Sequence, residues 1–358
     1  MTDATEDLSR LLPPLLGALE ALGFVARYVS PEGLPALMAA VGEPDTAVRA
    51  AYDQMGTWPP GLSDVRQALE SACGEVLPAF EGLRAAAEAG ADMGQVYRAL
   101  RGLPRAQEAL YPLAAGLAPV SRFFLDPSVR GDAALVGALA EAAPREDTGV
   151  MQAGQQPGER GGFSLYVPEH YSEDRAWPLV VALHGGAGSG RSFLWSWLRD
   201  ARSFGAILVA PTAVGDTWAL TGPDPDTPNL ARIVEAVGAH WNIDARRRLL
   251  TGMSDGGTFS YVSGLEPGSP FTHLAPVAAA FHPMLAAMAD SGRLQGLPIH
   301  IVHGALDWMF PVDMAREAQG LLAAAGAAVT YRELPDLAHA YPRELNREIL
   351  AWLEATAG

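Results

Sequence analysis

Apolar residues recur every three to four positions through the first 145 residues of the chain. Leu11, Leu12, Leu15, Leu16, Leu19 and Leu22 form one stripe, and Val65, Leu69, Cys73, Val76, Leu77 and Phe80 form another. A stripe with this period is the buried face of an amphipathic helix. The Ala/Leu/Tyr pattern from Met93 to Leu117 continues it, and breaks such as Trp58-Pro59-Pro60-Gly61 separate the helices. No clear period-two alternation and no repeat interrupts the pattern. Residues 1–145 are therefore expected to form an all-α N-terminal domain.

The pattern changes between Ala143 and Gly162, where a polar, Pro- and Gly-containing stretch reads as a linker and a turn. Beyond it, short apolar runs alternate with helical stripes. The runs are Phe163–Val167, Leu179–Leu183, Ala206–Ala210, Leu249–Gly252, Leu274–Ala280, Ile299–His303 and Ala328–Leu334. The stripes are Ser192–Ser203, Asn229–Trp241, Gly256–Leu265, Val312–Ala325 and Arg343–Ala355. Apolar strands alternating with helices predict a mainly parallel sheet covered on both faces, over residues 146–358. On such a sheet, reactive groups sit at the carboxyl ends of strands.

Composition narrows the function. The chain has 358 residues and a formal net charge of −16, and all 25 of its basic residues are Arg. The absence of Lys excludes Schiff-base chemistry and a P-loop lysine. The acidic excess argues against nucleic acid as a partner and against docking on anionic lipid. Cys73 is the only cysteine, so no intramolecular disulfide forms. The first ten residues are acidic and unlike a signal peptide, and no uninterrupted apolar stretch reaches the ~18 residues of a membrane span. A cytoplasmic protein without membrane insertion is expected.

The chemistry lies in the strand-end turns. The run Leu249–Gly252 drives into Gly252-Met253-Ser254-Asp255-Gly256, a G-x-S-x-G sequence with glycines at the crowded flanks of a sharp turn. Ser254 is the candidate nucleophile. Leu183 is followed by His184-Gly185-Gly186-Ala187-Gly188. The backbone N–H of Gly186, with that of Asp255, is the candidate oxyanion hole. Asp307 follows the run ending at His303, and His339 follows the run ending at Leu334; they are the candidate orienting carboxylate and general base. Asp313 competes with Asp307 but falls in a first helical turn, where a carboxylate complements the helix dipole. Gly185–Ser192 also fits a P-loop pattern, yet Arg191 stands where that loop needs Lys.

The order Ser254, Asp307, His339 is that of the α/β-hydrolases. Residues from about 150 to 358 resemble that superfamily, and look most like the esterases grouped with polyhydroxybutyrate depolymerases, feruloyl esterases and the phospholipase/carboxylesterase family. The resemblance is carried by Leu183-His184-Gly185-Gly186, by Gly252–Gly257, by His303-Gly304-x-x-Asp307-x-x-x-Pro311, by Ala338-His339 and by the Trp-bearing loop Pro211–Trp218. It implies an α/β-hydrolase fold and a serine esterase forming an acyl-enzyme on Ser254, with no metal or organic cofactor. It does not extend over residues 1–145, for which a lid, self-association into a homo-oligomer or another partner are open.

The substrate expected is a small or short-chain ester. Trp218, Trp308, Phe310 and His282 are the candidate pocket residues, and aromatic walls favour apolar or aryl esters. No long insertion separates Ala280 from Pro298, so no cap is expected there. The same triad would serve a peptidase or thioesterase, and a hydrolase fold can also be a catalytically silent binding protein.

Overall fold

The computed structural model describes residues 4–90, 92–154 and 160–357. The chain divides into two compact units, Met1–Ala140 and Glu141–Gly358. The first is helical: α1 Ala4–Tyr28, α2 Leu34–Val41, α3 Pro44–Asp53, α4 Ser63–Glu88, α5 Met93–Leu100, α6 Gly102–Leu110, α7 Ala118–Phe123 and α8 Ala133–Glu141. α1 and α4 carry the two leucine-rich stripes, and Leu11, Leu15, Leu22, Leu69, Cys73, Val76 and Phe80 are fully buried. By length and composition α1 is the one described helix that could cross a membrane, and Arg10, Glu20 and Arg27 interrupt its apolar run. Asp7 is buried on α1 and accepts hydrogen bonds from the Trp58 indole N–H (2.8 Å) and the Gly56 N–H (2.9 Å), so its charge is compensated.

The second unit holds one eight-stranded sheet: β1 Gly149–Ala153, β2 Phe163–Val167, β3 Trp177–Leu183, β4 Ile207–Pro211, β5 Ile243–Met253, β6 His273–Val277, β7 Pro298–Gly304 and β8 Ala328–Leu334. Their order is β1-β2-β4-β3-β5-β6-β7-β8. β1–β2 and β2–β4 pair antiparallel and all other neighbours pair parallel. The helices are α9 Gly190–Phe204, α10 Asp226–His240, α11 Asp255–Gly264, α12 Pro283–Met288, α13 Ser291–Leu294, α14 Val312–Ala324 and α15 Asn346–Thr356. The mainly parallel sheet flanked by helices is the predicted architecture.

Two local expectations need correction, and one segment holds helices that the pattern did not show. β1 lies inside the stretch read as a linker, and Gln155–Glu159 of that stretch fall outside the described residues. β5 starts six residues earlier than expected, because its first half carries Arg246, Arg247 and Arg248 and looks polar. Two short helices, α12 and α13, occupy the segment between β6 and β7.

The order of strands reverses its direction of growth at β3, which has β4 on one side and β5 on the other. A crevice therefore opens outside the carboxyl ends of β3 and β5. β3 is buried along its whole length, and Leu183 pairs with Gly252 at the end of β5. Both turns of interest consequently leave the sheet side by side.

Candidate active site

Ser254 sits between β5 and α11 with φ 56° and ψ −119°, a conformation that non-glycine residues rarely adopt. Strain of this kind costs about 1–3 kcal/mol and persists only where the surroundings enforce it. Here the Ser254 N–H donates to Val277 O on β6 (3.0 Å), and the Ser254 carbonyl accepts from the N–H of Thr258 (2.8 Å). The flanking glycines are steric requirements. A Cβ on Gly252 would lie 2.5 Å from the Gly256 carbonyl, and one on Gly256 would lie 2.5 Å from the carbonyl oxygens of Leu183 and His184. The turn thus packs backbone against backbone, lifting the serine above the sheet edge. A sheet of this strand order with a serine elbow after β5 has the α/β-hydrolase fold.

His339 reaches the serine from the loop after β8. Its Nε2 lies 3.0 Å from Ser254 Oγ, and its Nδ1 lies 2.9 Å from Asp307 Oδ2 and 3.1 Å from Oδ1. A carboxylate only accepts, so the proton belongs on Nδ1, and Nε2 is left to accept from the serine hydroxyl. All three side chains are buried. Burial by itself would raise the Asp307 carboxyl pKa. The bond from His339 and those from the N–H groups of Phe310 (2.8 Å) and Met309 (2.9 Å) outweigh it and hold the group below the usual carboxylate range. His303, at the end of β7, stands 3.5 Å from Asp307 Oδ2 and donates from Nε2 to the Phe310 carbonyl (2.8 Å), which fixes the same loop. Asp313, the competing carboxylate, is exposed in the first turn of α14 and pairs with Arg316 at 2.8 Å.

Gly186 and Asp255 face one another across the crevice. Asp255 is the first residue of α11, where a helix N–H has no intrahelical acceptor and the dipole favours negative charge. A Cβ on Gly186 would come 2.9 Å from Asp255 Oδ2, so the glycine turn lies directly against that residue. The Asp255 side chain has a partner that the sequence did not suggest: it accepts from the Thr217 hydroxyl at 2.6 Å, tying the elbow to the loop after β4. The left-handed conformation in the glycine-rich turn falls on Ala187 (φ 53°). The turn is fixed by His184, whose Nδ1 donates to Gly185 O (2.6 Å) while its Nε2 accepts from the Ala213 N–H (3.1 Å). Burial pushes this imidazole down to about 4, against the pull of the Gly185 carbonyl. Arg160 adds bonds to the carbonyls of Gly188, Ala213 and Gly215.

The four candidate pocket residues separate. Trp308 and Phe310 stand nearly perpendicular to the His339 ring, with centroids 6.0 and 5.3 Å away, and Trp308 is 44% exposed. Trp218 is only 2% exposed and is a core residue: its indole N–H donates to His184 O (2.8 Å) and its ring stacks on Phe259 at 5.3 Å. That bond turns the ring inward, so Trp218 is not a wall of the site's open space. His282 lines a separate cavity and caps α12, its Nδ1 accepting from the Met284 N–H at 3.2 Å. This cavity, of about 610 Å³, is lined by residues of α11 and α12, by Met314 and by the loops around Leu220, Glu266 and Phe281. The sequence signal for it was the run of apolar and Met residues from Met284 to Met288. Among the described residues, no cluster of His, Cys, Asp or Glu has the make-up of a metal site.

No family profile matches the chain. Among curated proteins it is similar to a bifunctional acetylxylan esterase/xylanase of Neocallimastix patriciarum, 26% identical over 159 residues that span 43% of this chain and 22% of that protein. The chain thus spans about a fifth of the length of the curated relative it matches. Among solved structures it is similar to a thermostable esterase (21% identity, TM-score 0.48, covering 57% of this chain and 62% of the other). It is also similar to esterase PE8 (20%, 0.43, 54% and 97%) and to a ferulic acid esterase (15%, 0.48, 55% and 92%).

Proposed function

We propose that the chain is a serine-dependent carboxylic ester hydrolase working through an acyl-enzyme on Ser254. The observation that carries this reading is the continuous line Ser254 Oγ–His339 Nε2 (3.0 Å) and His339 Nδ1–Asp307 Oδ2 (2.9 Å), starting from a serine held at φ 56°. A hydroxyl, a base and an orienting carboxylate in hydrogen-bond sequence are what nucleophilic acyl transfer needs. The acetylxylan esterase half of the curated relative's name agrees with ester substrates.

In this mechanism Ser254 Oγ attacks the ester carbonyl carbon while His339 Nε2 takes the hydroxyl proton. Asp307 keeps His339 in the productive tautomer and balances the imidazolium charge. The N–H groups of Gly186 and Asp255 receive the oxyanion; losing one such donor typically costs about 10²–10³ in rate. The tetrahedral intermediate collapses as His339 returns the proton to the leaving alcohol. Water then gives its proton to His339, attacks the acyl carbon and releases the acid and free Ser254. The aromatic rings of Trp308 and Phe310 beside His339 favour an apolar or aryl leaving group.

The test is a fluorophosphonate probe read by peptide mass, run with p-nitrophenyl esters, acyl thioesters and aminoacyl p-nitroanilides. Labelling of Ser254 and faster turnover of oxygen esters are expected. Faster turnover of the thioesters or anilides would move the protein to the thioesterases or peptidases. No labelling and no turnover of the folded chain would make it a silent binding protein.

A further inference from the structure

The 610 Å³ cavity is not part of the hydrogen-bonded line, yet one of its lining residues, Thr258, is bonded to the backbone of Ser254. One wall is Thr258 and Val262, along one face of α11, continued by Leu265 just past the helix end. Thr258 lies one helical turn from Ser254, about 6 Å along the axis, and Leu265 lies about 16 Å along it. The inner end is bonded to the elbow itself: the Thr258 hydroxyl donates to the Ser254 carbonyl (3.1 Å) and accepts from the Ala280 N–H (2.9 Å). The other walls come from α12, with Met284, Leu285 and Met288, and from Met314 on α14. The volume suits a small ligand, and three unbranched thioether side chains adapt to a flexible occupant better than to a rigid one.

Which half of an ester this space receives follows from the proton path. The leaving oxygen must take its proton from His339, so the leaving group lies on the His339 side of Ser254. Trp308 and Phe310 flank that side. None of His339, Trp308 and Phe310 lines the cavity, whereas Thr258, on the nucleophile's own helix, does. We infer that the cavity is the acyl subsite, and that it takes a flexible, medium-length saturated acyl chain lying along α11. The inference rests on the ester-hydrolase reading and adds to it the acyl class and the residues that select it.

Two ester series test it. One lengthens the acyl group on a fixed p-nitrophenol, from acetate to octanoate; the other enlarges the alcohol on a fixed acetate. In the unaltered chain kcat/KM is expected to climb with acyl length, by up to about four-fold per buried methylene, and to vary little along the alcohol series. Val262→Trp and Leu285→Trp fill the cavity from two different lining elements, α11 and α12. Each is expected to lower the octanoate-to-acetate ratio by about ten-fold or more, with Ser254 still labelled by the fluorophosphonate. A labelled variant with an unchanged ratio overturns the inference. So does a variant that reorders the alcohol series and leaves the acyl series as it was. If the unaltered chain is not labelled, the hydrolase reading itself fails, and that result is visible before any ratio is measured.

Discussion

At the scale of single residues, the site turns on where a proton is held. Asp307 accepts the His339 Nδ1–H and also the N–H groups of Met309 and Phe310. Asp307→Asn keeps an oxygen for those backbone donors, so the loop is expected to hold its shape. The amide nitrogen, however, would favour the wrong imidazole tautomer. An approximately 10⁴-fold fall in kcat at a nearly unchanged melting temperature is expected, measured on p-nitrophenyl acetate. The tryptophans give a second test. Trp218→Ala opens a hole in the core and should cost about 3–5 kcal/mol in urea unfolding, whereas Trp308→Ala, on a half-exposed side chain, should cost well under that and act on turnover. Equal losses in the two variants would contradict the placement of Trp218. Ser254, Asp307 and His339 stood out in the sequence because each lies in the turn or loop after a strand end. Their meeting depends on strand order, which the fold pattern implies. Trp218 was not legible, because a strand-end position does not tell which way a ring turns; the His184 carbonyl decides it.

At the scale of elements, the sequence showed seven of the eight strands, including the half-exposed β8, and the longer helices of the second unit. It missed β1 and the short helices α12 and α13. β1 pairs only with β2 and is half-exposed, so Gly149–Ala153 lacks an apolar signature. α12 is six residues long and exposes Met284 and Met288, which gives no stripe to read. The turn after β3 carries a pH dependence of its own. His184 is held neutral, its pKa pushed by burial from an ordinary 6.5 to about 4, and His273 at the start of β6 is pushed to about 4 in the same way. Above pH 6.5 these rings are neutral folded or unfolded and stability is unaffected. As the pH falls below 6.5 the unfolded chain binds protons that the native chain refuses, so stability is lost progressively down to about pH 4. For His184 the full loss is about 3 kcal/mol. The interval from pH 6.5 to 5 lies above the carboxylate range and isolates the histidines. Urea midpoints are expected to drop across it and to stay level from pH 7 to 8. A midpoint flat from 8 to 5 would mean that these imidazoles are protonated in the fold.

At the scale of the whole molecule, two bodies of one chain differ in kind: a helical unit of residues 1–140 and a sheet-centred unit of residues 141–358. The core cluster around the sheet runs from Leu165 to Ala327, and the partly buried residues packed on it begin at Met151. Ser254, His339 and Asp307, the Gly186 turn and the 610 Å³ cavity all belong to that second body. A chain of residues 141–358 is within the size range of a single domain and keeps every strand of the sheet, including the edge pair β1–β2. It is therefore expected to unfold in one cooperative transition and to be labelled at Ser254 by a fluorophosphonate with the stoichiometry of the full chain. Calorimetry and labelled-protein mass would measure the two properties on one sample. A soluble 141–358 chain that takes no label would mean that the geometry of the elbow depends on residues 1–140, and a chain that does not fold would mean that the core described for the second unit is insufficient by itself. If it folds and is labelled, the ester panel run on both lengths of chain isolates what the helical unit contributes, because any difference in selectivity then has residues 1–140 as its only source.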